Sequence, residues 1–111
     1  MPRRCFALDL ASDPALIQEY EARHAPGAVW PAVLAHLRAQ GVHAMEIWRT
    51  GDRLFMIAEV ASDYPRPVPT PDEVDRWEEE MWRYQRPLPH AAHAEKWVEM
   101  QRIFDFGSDL S

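Results

Sequence analysis

The sequence has one cysteine, four glycines and no long run of apolar residues. A lone cysteine, Cys5, excludes a disulfide framework within the chain, which fits a reducing compartment. No apolar stretch approaches the roughly 18 residues that a membrane-spanning helix needs. The basic N-terminal residues 1–4 are not followed by a long apolar segment, so no signal peptide is predicted. We therefore expect a cytoplasmic protein that does not enter the membrane.

Positive charge is also scarce, with 12 lysines and arginines against 18 aspartates and glutamates, for a net charge of −6. This balance argues against nucleic acid and anionic membrane surfaces as partners. What the chain does have is 47% hydrophobic residues, among them five tryptophans, in 111 residues. This length suits a single domain over residues 1–111. The aromatic residues are expected to form walls of a pocket or an interface.

Hydrophobic periodicity divides the chain into strands and helical segments. Strands are predicted at 3–10, 44–50, 53–60 and 96–106, and helices at about 14–24, 31–40 and 71–84. Asp13 and Pro14 are typical of a helix start, and Gly41 is typical of a left-handed helix end. Gly51 and Asp52 predict a hairpin turn between the two middle strands. The polar tail from Gly107 is expected to fray.

The order strand, broken helix, strand, strand, helix, strand is the split βαβ plan of a ferredoxin-like α+β domain. It predicts a four-stranded antiparallel sheet with helices on one face. If Thr50 faces Arg53 across the hairpin, one sheet face carries Met45, Ile47, Leu54, Met56 and Ala58. The other face then carries Glu46, Trp48, Phe55, Ile57 and Glu59. A sheet that is apolar on both faces must be covered twice, so we expect a second copy to complete a dimeric α/β barrel.

A tyrosine and a histidine lie at the end of the first predicted helix. Tyr20 and His24 are four residues apart, so they share one face of that helix. The Pro26–Gly27 turn follows at once and would fix the histidine in place. A phenol and an imidazole held side by side can bind a polar ligand of sugar size and move a proton on it. The same spacing also occurs on ordinary half-buried helix surfaces.

Two other segments carry residue types that can bind a ligand. The proline-rich stretch 61–71 is expected to be a stiff linker. His90 and His93 lie three residues apart in a loop that contains prolines, and no third ligand is evident. We therefore predict no metal site.

Several short motifs resemble those of the L-rhamnose mutarotase family. They are Tyr20-x-x-Arg23-His24, Val29-Trp30-Pro31, Gly41, Leu54-Phe55 with Glu59, Arg76-Trp77-x-x-x-Met81, and Phe104. The resemblance runs from about Arg3 to Phe106, and the cluster around Tyr20, His24 and Trp30 is its specific part. It implies a ferredoxin-like dimer that acts on a monosaccharide.

By this resemblance, His24 is the general acid, and Tyr20 and Trp77 contact the sugar. Trp30 and the residue at position 45 join them as candidate binding residues. The family usually has a tyrosine where this chain has Met45, and a second tryptophan where it has Glu78. Recognition of the sugar hydroxyls is therefore expected to differ. Three segments, 44–47, 53–57 and 95–98, look more like a branch associated with L-fucose, so L-fucose is favoured over L-rhamnose.

Mutarotation requires the ring oxygen to gain a proton while the anomeric hydroxyl loses one. Only proton transfers are needed, so the resemblance implies no cofactor. Histidine suits this task because its pKa lies near neutral pH. Our hypothesis for the partner base is Glu78, which gives His24 and Glu78 as the catalytic pair.

Two alternatives remain open at the level of sequence. A cofactor-free monooxygenase or a haem-degrading enzyme can share the dimeric ferredoxin-like plan and place histidine and tryptophan in a similar pocket. A non-catalytic sugar-binding module would bind the same ligand without exchanging its anomers.

Overall fold

An antiparallel sheet forms one layer of the computed structural model, which describes residues 2–107, and three helices pack on one of its faces. The elements in chain order are β1 (Arg3–Leu10), α1 (Pro14–Arg23), α2 (Pro31–Gln40), β2 (Val42–Thr50), β3 (Arg53–Val60), α3 (Asp72–Met81), β4 (Gln85–Arg86) and β5 (Val98–Glu99). The strand order is β2-β3-β1-β4, and β5 also pairs with β1. This order confirms the predicted α+β split βαβ plan. No helix in the described residues is both long enough and apolar enough to cross a membrane.

Short polar and glycine signals set the ends of the helices. The Asp13 carboxylate accepts hydrogen bonds from the backbone N–H groups of Ala15, at 2.9 Å, and Leu16, at 3.4 Å, and this is how a side chain caps a helix start. Gly41 ends α2 with φ at 104°, in the left-handed region that favours glycine. Both predicted boundaries are confirmed.

The central hairpin has the predicted register. Thr50 pairs with Arg53 and Trp48 with Phe55. The β2 strand begins at Val42, two residues earlier than predicted, and its pairing is irregular between Val42 and Ala44. Because strand side chains alternate, this register fixes which side chains point to the helices.

The helices bury one face of the sheet. The main core cluster joins strand and helix residues, namely Leu10, Tyr20, Val33, Leu54, Val74, Trp77, Met81 and Tyr84. A smaller cluster of Val42, Ala58 and Val60 lies beside it. On the opposite sheet face Trp48 is 60% exposed, while Phe55 and Ile57 are half-buried. One sheet face is therefore packed and the other is open in the single chain.

The last helix and the last strand are shorter than predicted. The α3 helix ends at Met81 instead of residue 84, because the chain turns there and buries Tyr84 in the core. Gln85 and Arg86, where no strand is predicted, pair with Leu10 and Asp9 respectively.

The predicted strand 96–106 was wrong in its extent. Only Val98–Glu99 pairs with β1, opposite Phe6 and Ala7. Alternating side chains alone do not make a strand, since the backbone also needs a partner edge. The edge of β1 is divided between β4 and β5, so the sheet has five strands rather than four. The tail that is expected to fray continues past Gly107, and its residues after Gly107 lie outside the described part of the chain.

Candidate active site

A cavity of about 480 Å³ lies between the helix-covered sheet face and the three helices. Its polar and aromatic wall consists of Tyr20, His24, Arg38, His43, Trp77, Glu78, Gln85 and Trp97. Its floor includes Met45, Ile47 and Met56 from the central hairpin. A volume of this size is within the range of small-molecule sites. Five of the six predicted site residues, Tyr20, His24, Met45, Trp77 and Glu78, line it.

Tyr20 and His24 meet at the end of α1, as their spacing predicts. Their ring centroids are 4.4 Å apart. The Nδ1 atom of His24 is 2.9 Å from the backbone carbonyl oxygen of Tyr20. A carbonyl oxygen can only accept a hydrogen bond, so Nδ1 must carry a hydrogen and donate it. This leaves Nε2 as the ring atom that can exchange a proton with a ligand.

The surroundings of His24 disfavour its charged form. Burial lowers the pKa of His24 most strongly, and the positive charge of Arg23 lowers it further. The hydrogen bond to Tyr20 and the negative charge of Glu78 act in the opposite direction without cancelling the effect of burial. The imidazole is therefore favoured in its neutral form, and its protonated form is a stronger acid than an exposed imidazolium.

The phenol of Tyr20 is fully buried and bound to a second polar side chain. The Nε2 atom of Gln85 donates to the Tyr20 hydroxyl oxygen over 3.3 Å. Burial raises the pKa of Tyr20 to about 12, against a lowering effect of the Gln85 hydrogen bond. Tyr20 therefore stays a neutral phenol at physiological pH. It can orient a ligand hydroxyl but is not suited to act as a base.

Trp77, which belongs to this wall, is supported by a second tryptophan and an arginine. The rings of His24 and Trp77 meet edge to face at 5.6 Å, and those of Trp30 and Trp77 at 5.1 Å. Trp30 does not line the cavity but packs against the core. Arg23 lies over Trp77 at 5.1 Å and forms an ion pair with Glu80 at 2.9 Å. Trp30 and Arg23 therefore hold Trp77 in place.

Glu78 stands at the rim of the cavity, one residue after Trp77. Its carboxylate is paired at 2.6 Å with the ammonium group of Lys96, which also donates to the Glu78 backbone carbonyl over 3.0 Å. The Lys96 ammonium lies 4.7 Å from the centre of the Trp82 ring. Glu78 is thus an exposed carboxylate held in one position by a largely buried lysine.

Gln85 and Trp97 are cavity residues that the sequence did not reveal. Both come from the segment after α3. The sequence assigns Gln85 to no helix or strand, and the alternation that predicts a strand at 96–106 does not indicate that Trp97 faces a cavity. Gln85 reaches the cavity because β4 pairs with Leu10 beside Tyr20. Only the observed strand pairing could identify it.

A second groove, of about 590 Å³, lies at the start of α1. Its lining includes Asp13, Glu21, Arg49 and Asp52. Asp13 caps the helix, and Arg49 is paired with Glu21 at 2.6 Å. Asp13, Glu21 and Arg49 are occupied by these structural contacts, so the groove is a weaker candidate for chemistry. In residues 2–107, no group of three or more histidine, cysteine or acidic side chains is arranged to hold a metal ion.

The fold and the site together define a class: a split βαβ domain with a buried tyrosine beside a half-buried histidine in the wall of a cavity of small-molecule size. The model of the L-rhamnose mutarotase family matches residues 3–106. The chain belongs to this family.

Individual relatives agree with the assignment. The chain is 44% identical over 116 residues to an L-fucose mutarotase of Xanthomonas campestris pv. campestris, covering 100% of this chain and 93% of the relative. It is 31% identical over 87 residues to an L-rhamnose mutarotase of Shigella flexneri, covering 76% of each chain. The crystal structure of an L-rhamnose mutarotase from Formosa agariphila superposes with a TM-score of 0.70 at 20% identity, covering 96% of this chain and 99% of that one. This last likeness concerns the fold.

The lowered pKa of His24 predicts how stability depends on pH. Below its ordinary pKa of 6.5, the unfolded chain binds a proton at His24 that the folded protein resists. The free energy of unfolding should therefore fall as the pH drops from about 7 through this range, and His24→Gln should remove that part of the slope. Urea unfolding at a series of pH values measures the slopes, and NMR titration of the imidazole measures the pKa. Equal slopes, or a titration midpoint at or above 6.5, would contradict the prediction.

Proposed function

We propose that this protein is an isomerase, a mutarotase that interconverts the α and β anomers of a 6-deoxyhexose, with L-fucose favoured over L-rhamnose. The observation that carries the proposal is the geometry of His24. Its Nδ1 is engaged by the Tyr20 carbonyl, and Nε2 is left for proton transfer at the wall of a sugar-sized cavity. Family membership supports the same activity.

The reaction needs one proton added and one removed at neighbouring oxygens of the sugar. In its protonated form, His24 gives the Nε2 proton to the ring oxygen, while the Glu78 carboxylate takes the proton of the anomeric hydroxyl. The bond between the anomeric carbon and the ring oxygen breaks, and an aldehyde forms. The aldehyde turns and the ring closes on its other face with both proton transfers reversed. Both side chains thus end in their starting state, and the reaction calls for no cofactor.

The remaining lining suits a deoxy sugar. Trp77 and Trp97 offer aromatic faces for the apolar C–H side of a pyranose. Met45, with Ile47 and Met56, makes part of the floor apolar, where the methyl group of a 6-deoxyhexose can pack. The preference for L-fucose rests on the relative that is 44% identical over the whole chain, since that relative is an L-fucose mutarotase.

We also propose that the protein forms a homodimer through the open face of its sheet. Trp48 is 60% exposed there, beside half-buried Phe55 and Ile57. The C-terminal segment adds further exposed apolar side chains, namely Met100, Ile103, Phe104 and Phe106. Apolar surface of this kind marks an interaction site, and a second copy presents the same surface in a two-fold arrangement. With one cysteine and a monosaccharide substrate, the cytoplasm is the compartment we propose.

Loss of the His24 imidazole should abolish most of the catalysis. Saturation-transfer NMR on L-fucose and on L-rhamnose measures exchange between their anomeric signals. His24→Ala should reduce the protein-dependent rate roughly 10²–10⁴-fold, the usual contribution of a positioned acid or base. His36→Ala, which removes a half-buried histidine of α2 outside the cavity, should keep the rate. Binding of L-fucose without exchange by the wild type would point to a sugar-binding module instead.

The role of Glu78 can be separated from that of a general acidic charge on α3. Glu78→Gln should slow exchange at least tenfold if its carboxylate takes the anomeric proton. Glu79→Gln is the control, because Glu79 is also an exposed glutamate of α3 but does not line the cavity. Full activity of Glu78→Gln would rule out its role as the base.

The proposed dimer interface can be tested by adding charge to it. Trp48→Lys places an ammonium group on the open sheet face and should convert a dimer into a monomer. Sedimentation velocity at micromolar protein concentration measures the state. Ala39→Lys adds the same charge on the exposed side of α2 and should leave the dimer intact. A monomeric wild type, or a dimeric Trp48→Lys, would contradict the proposal.

A further inference from the structure

Gln85 is a buried polar side chain that is only half satisfied. It is 3% exposed, and its Nε2 atom donates to the Tyr20 hydroxyl. Its Oε1 atom is buried and has no hydrogen-bond partner within residues 2–107. Folded proteins rarely leave a buried acceptor unpaired, because its loss of water is then uncompensated. Such an atom calls for a partner from elsewhere.

The unpaired amide is part of the cavity wall. Gln85 lines the cavity together with Tyr20, His24 and Trp77. In this orientation of the amide, Oε1 is a polar atom of a cavity-lining side chain that has no hydrogen-bond partner in the described residues.

The neighbouring phenol supplies the complementary half of a binding site. The Tyr20 hydroxyl accepts a hydrogen bond from Gln85 and still carries its own hydrogen, since burial raises the pKa of Tyr20 to about 12. In this arrangement the pair presents one acceptor, Oε1 of Gln85, beside one donor, the hydroxyl hydrogen of Tyr20. An alcohol both donates and accepts a hydrogen bond, so a single hydroxyl group can satisfy both.

We propose that Gln85, together with Tyr20, binds one ring hydroxyl of the monosaccharide and is a specificity-determining residue of this site. The inference rests on the proposed mutarotase function and adds to it the residue that recognises one hydroxyl of the substrate. A site that hydrogen-bonds a substrate hydroxyl rejects analogues that lack it, because its own polar groups are then left unpaired. Gln85 thus selects among deoxy sugars by their remaining hydroxyls.

A purely structural role for Gln85 makes a different prediction. If the amide served only to hold Tyr20, an apolar replacement would lower the melting temperature and leave sugar affinity unchanged. The amide donates to Tyr20 in either case, so an apolar replacement removes that hydrogen bond under both roles. If the amide also serves the ligand, the replacement lowers sugar affinity as well. Sugar affinity therefore distinguishes the two roles.

The first test measures Gln85→Met with 1,5-anhydro-L-fucitol, a ring-locked sugar that lacks the anomeric hydroxyl and cannot mutarotate. We expect its affinity, measured by titration calorimetry, to fall roughly 10- to 100-fold, as for a lost buried hydrogen bond. The melting temperature reports the lost hydrogen bond to Tyr20 and does not decide between the two roles. Gln40→Met is the control, because it makes the same exchange at a half-buried glutamine of α2 that does not line the cavity. Unchanged affinity of Gln85→Met would overturn the inference.

The second test identifies the hydroxyl. Anomer exchange of 2-deoxy-, 3-deoxy- and 4-deoxy-L-fucose is compared between wild type and Gln85→Met by saturation-transfer NMR. The variant should lose the discrimination against one of the three sugars and keep it against the others. Equal loss against all three would overturn the inference.

The two proposals fail separately. A wild type that binds the anhydro sugar but exchanges no anomers disproves the mutarotase, while the affinity of Gln85→Met still decides the role of Gln85. A wild type that binds no sugar disproves the role of Gln85.

Discussion

The hydrogen bond from Nδ1 of His24 to the Tyr20 carbonyl sets the chemistry of this site. It forms where α1 ends, so the last turn of the helix supplies the acceptor and His24 itself is the capping residue. One contact therefore fixes the tautomer, turns Nε2 away from the helix and keeps the imidazole against the phenol. Trp77 then confines the ring from a second side. A reacting group is held in place by elements that the fold needs for its own core.

The cavity wall is built from groups that cost stability when buried. An imidazole with a lowered pKa, a phenol with a raised pKa and a half-paired amide all lie next to one another. The surrounding apolar cluster of Val33, Leu54 and Met81 supplies the burial that offsets them. Burial also explains why the two rings have different roles. It makes His24 a better proton donor and Tyr20 a worse one, so one ring transfers protons and the other orients hydroxyls.

The sequence predicts the parts of the molecule that local rules determine. The Gly51–Asp52 turn sets the register of the central hairpin, and a spacing of four brings Tyr20 next to His24. It could not predict the segment after α3, where pairing with β1 decides what is strand and what is loop. Gln85 enters the cavity only because two residues pair with the end of β1. Local pattern carries no information on that long-range contact, which is why the amide and Trp97 were missed.

At position 78 this chain differs from the pattern of its family, and the charge it gains there is balanced by another residue of the chain. The resemblance implies a tryptophan at this rim, whereas here a carboxylate stands beside Trp77. Its negative charge is matched by Lys96, which contacts both the carboxylate and the backbone of Glu78 and lies over the ring of Trp82. An aromatic wall is thereby replaced with a charged group whose position depends on a lysine from the C-terminal segment. Because Trp97 follows that lysine directly and lines the cavity, the same segment supplies the aromatic surface and the charge partner. The position of the carboxylate at residue 78 therefore depends on the path of the chain after α3, and the two together form one part of the site.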